Sequence, residues 1–472
     1  MGSLDMGSEI DGFRLGEAMH VGSMASIYRL AGPEGALPLV IKIPRLGGAE
    51  RAVNVIAFEV CRTVLGALAQ GPSHPTLVAF GELETTPYLV LEYVEGVRLD
   101  DWVQRAPVPA DEIARLGSAL ALALDDIHKQ DVVHLDLKPT NVLYRADGHA
   151  VLVDFGLAHH SHYPDLLAEE LRFPVGNWVY MAPEQVLGVR CDPRSDIYAM
   201  GGLLYELATG HTPHGHPHTT RELRRRLHRD PIPPRALAPA TPPWLQEVIL
   251  RCLEIDARDR YASAAEVAFD LANPAEVEAG ERGARDRAPG WSTRVRRWLW
   301  ARRFEPAPCP PPSVDIGPAS IIMVALAGGE PDAPLSEALR DAARRLIASD
   351  AKCRIACVTA VPPSAALSGT RFEETATGRH IKHLVQLRRW ARPLQLPEER
   401  VTFHVLESEK PAAALIDYAK LNEVDQILIG APRSAARLFP GVSAQVVADA
   451  QCTVTVVRPR AEALSVETRR SP

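Results

Sequence analysis

The chain changes character abruptly after Asn273, and that break constrains it to two folded parts joined by a linker. Residues 282–304 carry eight arginines against a single acid, Asp286. Pro306, Pro308 and Pro310-Pro311-Pro312 follow, a stiff extended spacer. The arginine-, tryptophan- and proline-rich stretch 273–317 is therefore read as a linker. Before it, Leu39–Ile43 and Tyr88–Glu92 read as buried strands, dense in aliphatic residues and bounded by Gly or Pro. Ile113, Leu116, Leu120, Leu124 and Ile127 then recur at helical spacing, predicting an amphipathic helix over 110–129. From 195 to 271 the pattern stays helical. A strand-rich half followed by a helix-rich half predicts an α+β, bilobal fold with a cleft between its lobes.

After the linker a second rhythm begins. Ser320–Leu326, Arg354–Val358, Val401–Val405, Gln426–Ile429 and Thr453–Val457 read as strands, with helical patterns at 335–348 and 411–421. Such alternation predicts an α/β domain with a parallel sheet covered by helices over 318–459. With 46% hydrophobic and 24% charged residues, wholesale disorder is excluded. The net charge of -7 gives no reason to expect nucleic acid as a partner. Seven cysteines at irregular spacing read as reduced core thiols of a cytoplasmic protein. Met1 to Asp11 lacks Lys and Arg, so no secretory signal is expected, and no apolar run approaches the roughly 18–20 residues of a membrane span.

The most specific stretch is Val133-His-Leu-Asp-Leu-Lys-Pro-Thr-Asn-Val-Leu143, followed by Val153-Asp-Phe-Gly156 and Tyr180-Met-Ala-Pro-Glu184. Phosphoryl transfer from ATP needs a carboxylate to take the hydroxyl proton, oxygen ligands for Mg²⁺ and cations near the phosphates. Asp136 can be the base, Asn141 and Asp154 can hold Mg²⁺, and Lys138 can reach the transferring group.

On these motifs residues 11–272 resemble a Hanks-type (eukaryotic-like) Ser/Thr protein kinase. The resemblance implies that Lys42 holds the ATP phosphates with Glu59 as its partner on the following helix. Val90-Leu-Glu-Tyr-Val94 would be the hinge, with Leu91 as gatekeeper and backbone groups of Glu92 and Val94 on adenine. Val21, Gly22, Ile27, Val40 and Leu143 would complete the nucleotide site. Asp196 would buttress the catalytic loop, and Arg260 would pair with Glu184. Implied with these are ATP, Mg²⁺ and protein substrates carrying Ser or Thr hydroxyls.

Three departures from that pattern shape further expectations. His20, Gly22 and Ala25 stand where three glycines are usual, so weaker ATP binding is expected. Leu135 replaces the arginine that receives an activation-loop phosphate, and residues 157–176 offer only Ser161 and Tyr163 as hydroxyls. Activation-loop phosphorylation is therefore not expected to be the main switch. Asn177 replaces a usual Thr, and its amide is expected to reach Asp136. The cluster His211, His214, His216 and His218 reads as a solvated loop, with metal binding the lesser alternative because no Cys or carboxylate joins it at zinc-site spacing.

Trp291, Trp298 and Trp300 accompany the linker arginines, and docking onto protein is favoured there over membrane contact through 291–304. Residues 318–459 resemble a universal stress protein domain through Ile321-Ile-Met-Val-Ala325, Asp425–Gly430 and Ala450–Arg458. Leu326 or Ala327 occupies the position of an ATP-binding Asp in that family, and Arg433 that of a loop glycine. The resemblance thus implies a homodimerising or regulatory domain that does not bind ATP tightly. The reading is a cytoplasmic Ser/Thr kinase; its alternative is a pseudokinase serving as a nucleotide-sensing scaffold.

Overall fold

The computed structural model describes residues 7–22, 24–31, 37–45, 51–81, 86–163, 165, 167, 175–287, 297, 304–309, 320–327, 333–350, 352–362, 376–396, 400–422, 424–431 and 441–459. The chain divides into two compact units, Met1–Val314 and Asp315–Pro472. Among the described residues no helix is long and apolar enough to cross a membrane.

The first unit opens with strands β1 (Phe13–Val21), β2 (Ala25–Leu30) and β3 (Leu39–Pro44), helix α1 (Arg51–Ala67), then β4 (Leu77–Gly81) and β5 (Tyr88–Glu92). With the two-residue strand Glu9–Ile10 they form an antiparallel sheet in the order Glu9–Ile10, β1, β2, β3, β5, β4. Ile41, Tyr88 and Val90 fill one face of this sheet. The rest of the unit is mainly helical. Helix α2 (Ala110–His128) carries the expected apolar stripe, with Ile113, Leu116, Leu120, Leu124 and Ile127 all buried. It packs on α3 (Arg194–Thr209) and, later in the chain, on Ala264–Ala272. Gly117 permits that approach: a Cβ there would lie 2.8 Å from both Leu204 and Leu271. Gly210, at φ +72, ends α3 in the left-handed conformation that glycine adopts without strain.

The start of the arginine-rich segment packs on this same unit. Arg282 pairs with Glu254 at 2.7 Å and Glu247 at 3.2 Å, and Arg297 pairs with Asp230. The side-chain amide of Gln246 donates to the carbonyls of Arg282 and Arg285, each at 2.8 Å. Trp291, Trp298 and Trp300 lie outside the described residues. The expectation of seven reduced cysteines is corrected here: Cys191 and Cys309 form a disulfide across a separation of 118 residues, with Cα atoms 5.6 Å apart. Local spacing could not show it, because only the folded chain brings the two together. Cys61, Cys252, Cys353 and Cys357 are buried free thiols, and Cys452 is free and partly buried.

The second unit alternates strand and helix: β6 (Ile321–Ala327), α4 (Ala333–Ser349), β7 (Arg354–Val361), α5 (Ala376–Ala391), β8 (Val401–Glu407), α6 (Pro411–Leu421), β9 (Gln426–Gly430), α7 (Val442–Asp449) and β10 (Thr453–Val457). The sheet is wholly parallel, in the order β8-β7-β6-β9-β10. Met323, Val358 and Ile427 pack with Leu415 and Val446 in one core layer. His404 on β8 is buried, bonded to Thr402 Oγ1 at 3.0 Å and set edge-on to Tyr418. Burial lowers its pKa from 6.5 to about 3. The unfolded chain therefore takes up this proton first, and the unit loses stability as pH falls below about 6.5. Thermal unfolding followed from pH 8 to 5 is expected to show that loss, and His404→Gln to flatten it.

Candidate active site

The loop from His134 to Leu143 is positioned by one buried carboxylate. Asp196, on the first turn of α3, accepts the backbone N–H of His134 at 2.8 Å and of Leu135 at 2.9 Å. The His128 ring lies 2.9 Å from the same carboxylate. Leu135 is held at φ +63, a left-handed conformation costing a branched residue about 1–2 kcal/mol. Two charge-assisted bonds to Asp196, and a bond from Gln185 to the Leu135 carbonyl at 3.1 Å, offset that cost.

Asp136, 6% exposed, is thereby aimed with both oxygens engaged. Oδ2 accepts from Lys138 Nζ at 2.7 Å and Asn141 Nδ2 at 3.2 Å, and Oδ1 accepts the backbone N–H of Asn177 at 3.1 Å. The Asn177 side chain instead caps the N–H of Val179 at 3.0 Å. So Asn177 does reach Asp136, but through its main chain.

A cavity of about 440 Å³ adjoins this loop. Gly22, Ile27, Val40 and Lys42 line it from the strands, and Leu91, Glu92 and Val94 from the hinge. Lys138, Asn141, Leu143 and Asp154 line it from the other side. Val21 is 57% exposed and outside the lining. Met19, Met24 and Cys61 also line it and were not anticipated; nothing in their local sequence marks them.

The expected Lys42–Glu59 pair is corrected in this conformation. Lys42 Nζ bonds Asp154 Oδ1 at 2.6 Å, whereas Glu59 Oε2 accepts from Arg62 at 3.2 Å. The register of α1 turns Ala57, Phe58 and Cys61 to the cavity, and Glu59 meets Arg62 one helical turn on. Lys42 beside it holds the Asp154 carboxyl well below the usual range, despite opposing burial. Burial likewise disfavours the Lys42 charge, and Asp154 more than compensates.

The residues present suit Mg²⁺. Asn141 spends its N–H groups on the Asp136 carbonyl and carboxylate, which leaves its Oδ1 as an acceptor. Asp154 bonds Lys42 through Oδ1, leaving Oδ2. Both are hard oxygens on the cavity wall, the donor type Mg²⁺ takes alongside phosphates and water.

Further along, Arg260 and Glu184 form the expected buried pair, two bonds of 2.7 and 2.8 Å, and Ser195 Oγ donates to Glu184 at 2.7 Å. Asp165, after the Asp154-Phe-Gly156 turn, is gripped by Arg190 Nε at 2.6 Å and faces the His159 ring at 3.6 Å. Arg190 also donates to the Leu157 carbonyl at 2.9 Å, tying both ends of that stretch to one guanidinium. Of the histidine cluster, His211, His216 and His218 are exposed. His214 corrects the solvated-loop reading: it stacks on Tyr198, bonds its hydroxyl at 2.9 Å, and burial lowers its pKa to about 3. Among the described residues no three His, Cys, Asp or Glu side chains are grouped to hold a metal. In the second unit Leu326 and Ala327 end β6 with no carboxylate of their own, and Arg433 lies outside the described residues.

A two-lobed unit with a cavity between sheet and helices, and a buttressed loop presenting Asp, Lys and Asn beside it, has the architecture of a protein kinase. Comparison agrees: residues 63–270 match the protein kinase domain family and residues 319–458 the universal stress protein family. The chain carries a protein kinase domain followed by a universal stress protein domain. It is similar to serine/threonine-protein kinase Pkn1 of Myxococcus xanthus, 34% identical over 53% of this chain and 34% of that protein. Similarity to serine/threonine-protein kinase PknB of Mycobacterium tuberculosis is 30% identity over 55% of this chain and 42% of PknB. The chain thus spans well under half the length of these curated relatives. The kinase domain of Mycobacterium tuberculosis PknI aligns with 57% of this chain and 99% of its own, at a TM-score of 0.44 and 22% identity.

Proposed function

We propose that this chain is a Ser/Thr protein kinase that transfers the γ-phosphoryl group of Mg-ATP to protein hydroxyls. The observation that carries this reading is the Asp136 carboxylate, fixed by Lys138, Asn141 and Asn177 beside a cavity lined by Lys42 and Asp154. Asp136 Oδ2 accepts the proton of the substrate hydroxyl as its oxygen attacks the γ-phosphorus, and the bond from that phosphorus to the bridging oxygen breaks to release ADP. Lys138 then balances charge on the transferring group. Lys42 neutralises the phosphates from the strand side, and hinge backbone groups of Glu92 and Val94 hold adenine. Bound Mg²⁺ would be held by Asn141 and Asp154 and would supply charge neutralisation on the phosphates. The test is radiolabelled transfer from Mg-ATP to a generic protein substrate. Incorporation supports the kinase; silence with retained nucleotide binding would favour the scaffold.

Leu135 cannot clamp a phosphate, and Asp165 with Arg190 already fastens the segment after Asp154. A Ser161→Ala, Tyr163→Phe double variant is therefore expected to keep more than about half of wild-type kcat, since neither removes a charge-assisted bond of that pair. Loss of most activity would return control to phosphorylation.

The second domain we read as a dimerisation module. Strand β10 is an edge of its sheet among the described strands, and Val456 on it is 41% exposed. The full chain is expected to sediment as a dimer at micromolar concentration and Val456→Lys to shift it to monomer. A monomeric wild type would refute this.

A further inference from the structure

An arginine cluster lies on a turn fastened to the segment that contacts Asp136. Residues 219–229 hold five arginines and one acid. Arg226 is fully buried and differs from the rest: its guanidinium donates to the carbonyls of Trp178 and Met181 and its Nε to the Leu223 carbonyl at 3.2 Å. Leu223 also packs with Met181, Val186 and Trp178. This turn is therefore fastened to the very segment whose Asn177 N–H contacts Asp136. Arg221, Arg224, Arg225 and Arg229, in contrast, are exposed and make no side-chain hydrogen bond or ion pair among the described residues. The nearby acids are engaged: Glu222 accepts the His218 N–H at 2.9 Å, and Asp230 pairs with Arg297 and, at 4.0 Å, with Arg285.

We propose that Arg221, Arg224, Arg225 and Arg229 form a docking surface that selects protein substrates with Asp or Glu residues flanking the phosphoacceptor. Four positive charges, of which only Arg225 feels a neighbouring acid, Glu222, sit on a turn locked to the segment that contacts Asp136 and present a fixed field to an extended acidic chain. The inference refines the kinase reading by naming its substrate class, yet docking itself needs no catalysis.

Binding of fluorescein-labelled peptides to the full chain tests it by anisotropy. One peptide has a serine flanked by glutamates, and its control has glutamines. The Glu peptide is expected to bind about tenfold tighter at 50 mM salt, from a few exposed ion pairs, with the gap closing at high salt. Arg224→Glu/Arg225→Glu should abolish the gap and Arg224→Lys/Arg225→Lys largely retain it, with the ATP-induced thermal shift serving as the folding control. Equal binding of both peptides, a gap surviving charge reversal, or equal affinity for single-stranded DNA would overturn the proposal. Radiolabel transfer to the same peptides separates the two readings. Transfer without Glu preference sinks the docking surface alone; Glu-selective binding without transfer sinks the kinase alone.

Discussion

Replacing Asp136 by Asn is expected to lower kcat by about 10²–10⁴ while leaving nucleotide affinity nearly unchanged. The substitution is isosteric, and its Oδ1 can still accept the Asn177 N–H that fixes the side chain now at 3.1 Å. What disappears is the proton acceptor and the negative partner of Lys138, 2.7 Å away. The cavity contributors Lys42, Leu91 and Leu143 are untouched, so ATP binding measured calorimetrically serves as the control. Single-turnover transfer is the proper readout, because product release can mask the chemical step. Undiminished transfer by the variant would remove Asp136 from its role.

Arg260→Met is expected to destabilise the first unit by about 3–5 kcal/mol. It strands the Glu184 carboxylate, 2% exposed, with Ser195 its one remaining side-chain donor among the described residues. The guanidinium also satisfies the carbonyls of Glu254, Arg194 and Ile255, which would lose their partner together. Removing both charges, as Arg260→Met with Glu184→Gln, should cost markedly less than Arg260→Met alone. The pair also carries a pH signature. Burial pushes the Glu184 carboxyl up, but Arg260 and Ser195 outweigh it and the net shift is down from 4.5. Its contribution is therefore complete above about pH 4.5 and lost as pH falls. Urea unfolding at pH 7 and pH 4 checks both statements, and a wild-type-like midpoint for Arg260→Met would contradict them.

Local periodicity made much of the scaffold legible. The stripe from Ile113 to Ile127 places α2 within a residue of its observed end, since nothing but burial dictates that spacing. The strands of the second unit were visible because parallel strands covered on both faces read as aliphatic runs. Motif order likewise marks Lys138, Asn141 and Asp154, and all three line the cavity. Partner choice was not legible. That Lys42 meets Asp154 and Glu59 meets Arg62 depends on the rotation of α1, which a single sequence does not fix. Arg226 was hidden for a similar reason: three arginines run together from 224, and only tertiary packing decides which is buried.

The Cys191–Cys309 link changes how the chain would respond to cutting and to pulling. It closes a ring across 118 residues that includes all of α3. A protease nick inside that ring leaves one covalent molecule, which separates on a gel only after reduction. Tension drawn from the C-terminal domain enters the kinase unit at Cys191, so the residues between the two sulfurs are shielded from the load. A reductant would move the point of entry back along the chain and place α3, with the Asp196 that aims the catalytic loop, in the path of the force.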